Sequence, residues 1–157
     1  MTANRVRIAI FLIIVAFSTA ALNAGVAQSA SNVAGLNIDV TAVERKGNVL
    51  TIKWAVKNSG EKTATATFSL AGDKVTTYVV DEESGTKYYA LTDKEGNVLA
   101  TEHDYTGSSH GISEYINAGE TKRFWAKFPA PPAAVKTINI LFTEAEPVES
   151  VAITEKK

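Results

Sequence analysis

Apolar and polar residues alternate along this chain in short runs separated by turn residues, and this pattern constrains the fold more than any other feature. The first two runs, 38–42 and 50–56, place isoleucine, valine, leucine or tryptophan at nearly every second position. A Lys46-Gly47-Asn48 turn separates them. Since successive side chains of a strand point to opposite faces, the pattern predicts a β-hairpin with one buried face.

The same pattern recurs along the rest of the chain, with turn residues at intervals of about 8 to 12 residues and no convincing amphipathic helix. It predicts an all-β domain over 36–155, an antiparallel sandwich or barrel, with an immunoglobulin-like β-sandwich favoured. We expect Trp54, Phe68, Phe124 and Ile140 to fill its core. The further strands are predicted at 64–70, 75–80, 86–91, 97–101, 112–116, 121–128, 137–143 and 148–153.

The first 27 residues have the three parts of a secretory signal peptide. Arg5 and Arg7 form a basic start, residues 8–17 are apolar, and small residues precede the predicted cleavage point. The apolar stretch falls short of the roughly 20 residues that a transmembrane helix needs, so we predict a signal helix that is cleaved after Ala27. Cleavage after Ala24 is the second choice, and an uncleaved leader that anchors the chain is the alternative. Either outcome places the domain in the periplasm or outside the cell.

The residues between the leader and the first predicted strand are small and polar. Positions 28–35 show no hydrophobic period, which predicts a flexible lead-in that buries too little surface to become ordered. The predicted organisation is therefore a signal peptide at 1–27, a lead-in at 28–35 and a single domain at 36–155.

Composition excludes several classes of function. The chain has no cysteine, which excludes disulfides, thiolate chemistry, sulfur-ligated metals and the lipid anchor of bacterial lipoproteins. Loss of Arg5 and Arg7 with the leader would leave 14 basic against 17 acidic residues, a net charge of −3. A slightly acidic domain is poorly suited to general nucleic-acid binding, which needs concentrated lysine and arginine. We expect membrane contact only if the leader is retained.

Three segments give the chain a resemblance to a known group of domains. Residues 50–60 end in Val-Lys-Asn-Ser-Gly, residues 88–93 precede a glycine turn, and residues 116–121 precede the 124–128 strand and its proline-rich stop. Together they resemble secreted bacterial immunoglobulin-like domains of largely unassigned function, a fold typified by the mycobacterial immunoprotective extracellular antigen. The resemblance implies an immunoglobulin-like sandwich over most of 36–153 and brings no catalytic residues.

The segment 102–111 is predicted to be an exposed loop of about ten residues, a length at which loops often carry function. It contains His103, Asp104 and His110, with the two histidines seven residues apart. Two imidazoles and a carboxylate could bind zinc or copper, and a solvated loop without metal is the alternative interpretation. Serines beside His110 supply the residue types of a hydrolytic triad, but no nucleophile turn accompanies them.

A recognition surface is the other candidate site. Trp125 alternates away from the predicted core positions of its strand and lies between Arg123 and Lys127, so we expect its ring to be partly exposed. Together with Arg123 and Tyr105 it could contact a partner, because aromatic and arginine side chains carry much of the energy of interfaces.

These observations predict an exported, non-enzymatic interaction module, without a cofactor, that binds a protein or an envelope component. The alternative is a small-ligand or metal-binding envelope protein that uses the 102–110 loop. An enzyme is disfavoured because no set of residues nominates a reaction.

Overall fold

The computed structural model describes residues 27–72, 76–101 and 110–157. Within these ranges the chain forms strands and turns without a helix, and consequently no helix there could span a membrane. The predicted signal helix lies outside the described residues. The strands are β1 (Ala27–Ala30), β2 (Leu36–Lys46), β3 (Val49–Asn58), β4 (Ala64–Ser69), β5 (Tyr78–Val80), β6 (Lys87–Tyr88), β7 (Gly111–Ile116), β8 (Thr121–Pro129), β9 (Thr137–Leu141), β10 (Val148–Ala152) and β11 (Thr154–Glu155).

The predicted hairpin forms the centre of the first sheet. Strands β2 and β3 pair antiparallel around a turn in which Gly47 has a φ of 59°, a conformation that glycine adopts without strain. The sheet order is β1-β2-β3-β8, and the short β11 pairs parallel with β2. A β-bulge between Val40 and Ala42 shifts the register of β2. The bulge turns Val43 into the core, so the inward position that alternation predicted for Ala42 is wrong.

Two smaller antiparallel sheets, ordered β10-β9-β5-β6 and β4-β7, lie against the first one. Trp54 of β3 contacts the rings of Phe68 on β4 and Phe142 after β9, with centroids 5.1 and 5.3 Å apart. Phe124 of β8 joins the same cluster. The four residues predicted to fill the core are all buried, the fourth being Ile140. The all-β fold is therefore confirmed, and the arrangement of its sheets is compatible with a β-sandwich.

The segment 28–35 differs from its prediction as a flexible lead-in, because Ala27–Ala30 forms an edge strand. Strand β1 pairs antiparallel with β2, from Ala27 opposite Val40 to Ala30 opposite Asn37. The Ser29 hydroxyl donates a 2.5 Å hydrogen bond to the Glu146 carbonyl. Small polar residues can be ordered through their backbone alone, and a search for hydrophobic periods does not detect such a strand.

The hairpin predicted at 86–101 is correct at its turn and wrong in its strands. The turn closes through a bond from the Asp93 amide to the Asn97 carbonyl, with Gly96 at a φ of 87°. Before the turn, only Lys87–Tyr88 forms a regular strand. After it, Val98 and Ala100 form isolated bridges in place of a strand. The segments before and after the turn form some backbone hydrogen bonds with each other and others with β8, so no regular ladder develops between them.

Asn58 organises the end of β3 through its side chain. Its side chain is fully buried, at 0% exposure. The amide nitrogen donates 2.8 Å hydrogen bonds to the carbonyls of Lys62 and Ile116, and the amide oxygen accepts a 2.9 Å bond from the Gly60 N–H. One side chain therefore ties the end of β3 to the following connection and to the end of β7.

A buried arginine fixes the C-terminal strand. The Arg45 guanidinium forms a 2.9 Å ion pair with Glu155 of β11 and donates a 2.8 Å hydrogen bond to the Val135 carbonyl. The Lys156 amide in turn donates to the Arg45 carbonyl. Strand β11 consequently covers part of the outer edge of β2.

Candidate functional site

Most of the predicted metal loop lies beyond the part of the chain that the structure describes. His103, Asp104 and Tyr105 fall outside the described residues, so the metal site and the contribution of Tyr105 stay predictions. His110 is described, and its exposed side chain lies close to Gly72 while its carbonyl accepts hydrogen bonds from two backbone amides at the end of β4. No group of three or more potential ligands among the described residues could hold a metal ion.

Acidic turns elsewhere in the chain use their carboxylates for local structure. The Asp93 carboxylate accepts hydrogen bonds from the Asn97 side chain and from the backbone amides of Asn97 and Glu95. These bonds, with that from the Asn97 side chain the largest influence, lower the pKa of Asp93. The Asp81 carboxylate accepts hydrogen bonds from the Glu83 amide and the Ser84 hydroxyl of its own turn. Both carboxylates therefore serve the local structure of their turns.

Strand β8 presents Trp125 and Arg123 outward, as alternation predicted. Phe124, Ala126 and Phe128 are buried on the inner side, whereas Arg123 is exposed and Trp125 is 36% exposed. An indole that is more than one-third accessible on a regular strand leaves apolar area available for a partner. The predicted exposure of Trp125 is therefore confirmed, and its role in binding stays a prediction.

The two hydrogen bonds with Thr101 and the pairing of β8 with β3 hold the backbone of Trp125 in place. On one side it pairs with Lys53 of β3. On the other, Thr101 donates its amide to the Trp125 carbonyl at 2.9 Å and accepts the Trp125 amide on its hydroxyl at 2.7 Å. Thr101 thus covers the edge of β8 at Trp125, and the backbone that carries the ring is fixed before any partner binds.

Basic side chains surround the ring. The ammonium of Lys127 lies 5.7 Å from the ring centroid, within cation–π range. Lys53 stands directly opposite Trp125, and Arg123 is two residues away on the same face. We call Trp125, Arg123, Lys127 and Lys53 the basic–aromatic face. The contribution of Lys53 was missed because the sequence does not give the register between β3 and β8.

Carboxylates lie along the edge of this face that is nearest β2. The Glu44 carboxylate forms ion pairs with the ammonium groups of Lys156 and Lys53, with N···O distances of 2.9 and 3.0 Å. These hydrogen bonds, with that from Lys156 the larger influence, hold the pKa of Glu44 below its ordinary value. Lys53 is therefore partly neutralised, whereas no salt bridge in the described part of the chain involves Arg123 or Lys127.

Three other surface features could also take part in binding. The ring centroids of Tyr78 and Tyr89 lie 5.9 Å apart beside strands β5 and β6, and the Lys87 ammonium lies over the ring of Tyr78. Tyr115 of β7 is 69% exposed and makes no ring contact with another described residue. A groove of about 390 Å³ runs along the edge of β2 between β1 and β11. The tyrosine pair is contacted by one cation, Lys87. The basic–aromatic face instead places two cations beside its ring, Arg123 and Lys127, and neither has a carboxylate partner among the described residues.

Comparisons with models of protein families, with curated proteins and with solved structures find no match to this chain.

Proposed function

We propose that this chain is an exported, non-enzymatic module with an immunoglobulin-like β-sandwich fold that binds a protein or an envelope component through the basic–aromatic face. The observation that carries the proposal is the exposure of Trp125 at a fixed position in a regular sheet, next to Arg123. Tryptophan and arginine are the residues most enriched among those that dominate binding energy.

Rigidity supports the assignment of this face. Binding loses affinity when loops and side chains must become ordered, and a residue whose backbone is already held within a sheet avoids part of that loss. Trp125 meets this condition through β3 and Thr101. A loop tryptophan of equal exposure would lack this advantage.

Export would determine which partners the domain can meet. If the leader at 1–27 acts as a signal peptide, the domain meets the components of the cell envelope or of the surroundings and not those of the cytoplasm. The net charge of −3 expected after cleavage would make the domain as a whole repel anionic partners, so the basic–aromatic face would be a local exception.

The test is retention of the exported chain on washed envelope fragments, measured by co-sedimentation. We expect Trp125→Ala and Arg123→Ala to weaken retention at least about tenfold, as hot-spot residues do. Tyr115→Ala is the matched control, since it removes an even more accessible ring from β7, and it should bind like the unmodified chain. Equal retention of Trp125→Ala and Tyr115→Ala would refute the proposal.

A further inference from the structure

We propose that the partner of the basic–aromatic face is an anionic glycan, a chain of sugar rings that carries carboxylate or phosphate groups. The inference rests on the proposed function and names its ligand class. An aromatic ring lying on a sheet can bury the apolar face of a sugar ring, and the cations beside it can pair with acidic substituents.

The shape of the surface favours a polymer over a small free molecule. Small ligands bind in concave sites that enclose most of their surface. Trp125 instead lies on a sheet face, where residues two apart on a strand are about 6.7 Å from each other. Arg123 and Lys127 consequently emerge on either side of the ring, along a line that suits a linear chain with repeated charges.

The width of the surface favours a narrow polymer over a protein or a lipid bilayer. The outward residues of 51–57 and 121–127 form a strip about 10 Å wide and about 23 Å long, or about 230 Å². A stable protein interface needs about 800 Å² from each partner. The charged outward residues of this strip are all basic, but Asp39 and Glu44 on β2 border it and would repel a wide anionic surface.

The two tryptophans supply a direct readout. Trp54 is 1% exposed and Trp125 is 36% exposed, so a soluble quencher such as acrylamide reaches mainly Trp125. A sugar ring that covers Trp125 will lower the quenchable fraction of the fluorescence. Trp125→Phe removes the accessible indole and provides the background signal of Trp54.

The experiment measures acrylamide quenching of the exported chain while polygalacturonate, an acidic glycan, is added at low salt. We expect protection of Trp125 that disappears with added salt, because the pairs formed on this face are exposed to solvent. Arg123→Gln and Lys127→Gln should each weaken binding about two- to fivefold. Lys94→Gln is the matched control, because that side chain is 89% exposed in a turn outside the basic–aromatic face.

Four comparison ligands distinguish an anionic glycan from other classes of ligand. Dextran, a neutral glycan, should protect at least about tenfold more weakly. Equal protection by dextran, polyglutamate, single-stranded oligothymidylate or phosphatidylglycerol vesicles would overturn the inference. Absence of protection by polygalacturonate, while envelope retention still depends on Trp125, would also overturn it and leave the proposed function standing. If envelope retention does not depend on Trp125 either, the proposed function fails as well.

Discussion

Replacement of Asn58 by alanine tests whether a single buried amide organises the end of β3. The change removes the hydrogen bonds to Lys62, Gly60 and Ile116 together with the amide itself. The Ile116 carbonyl bonds within a buried region and would lose its partner outright, at about 1–3 kcal/mol. The other two bonds are partly accessible to water and contribute about 0.5–1.5 kcal/mol each. We therefore expect a loss of about 2–6 kcal/mol, a large share of the total stability of a small domain.

Urea unfolding followed by tryptophan fluorescence measures this loss. Asn37→Ala is the matched control, because its amide makes one exposed 3.1 Å hydrogen bond to Ser59. That control should lose less than about 1 kcal/mol. An Asn58→Ala variant within about 0.5 kcal/mol of Asn37→Ala would refute the reasoning, since such a result would show that the three bonds are replaced by water.

The isosteric change Asn58→Asp sharpens the same test. It places a carboxylate oxygen against the Lys62 and Ile116 carbonyls and buries a charge. Burial and repulsion raise the pKa of this introduced carboxyl in the folded state above its unfolded value. The destabilisation is then greatest at neutral pH and shrinks as the pH falls and the carboxyl becomes protonated. A pH-independent difference from the unmodified chain would contradict this account.

Two further predictions concern other parts of the fold. Gly111→Ala should destabilise the domain by about 3 kcal/mol in urea unfolding, because a Cβ at this position would collide with the Phe68 carbonyl oxygen in the β4–β7 pair. Glu44→Gln should lose about 0.5–1 kcal/mol at pH 7, because the carboxylate is paired with Lys156 and Lys53. Since those pairs lower the pKa of Glu44, the loss should vanish at a pH below its folded pKa, and a constant difference at pH 7 and pH 3 would show that the pairs do not stabilise the fold.

The orientation of β8 was predictable from the sequence, and so was much of the candidate site. Once residues 121–128 are identified as a strand, period-2 alternation requires Phe124 and Phe128 to share one face and Arg123 and Trp125 the other. Burial in the structure follows this division. Such predictions succeed because they depend only on local geometry and on the need to bury large apolar side chains.

Features that depend on distant partners were not predictable. Strand β1 is ordered by backbone pairing with β2 and by the Glu146 carbonyl, and nothing within Ala27–Ala30 indicates this. Likewise, Lys53 lies beside Trp125 because of the register between β3 and β8. A sequence pattern assigns a residue to a face, whereas its neighbours on that face are set by pairing across the sheet.

The bulge in β2 links the fold to the charge of the proposed binding face. Without it, alternation from Val40 would turn Glu44 toward the core and leave Val43 outside. The inserted residue reverses this order: Val43 is buried, and Glu44 reaches the outer face, where it holds Lys53. The same irregularity therefore completes the core and places a carboxylate at the border of the basic strip. Within the part of the chain that the structure describes, Arg123 and Lys127 have no such carboxylate partner, and β8 is therefore the strand on which we expect an anionic chain to pair.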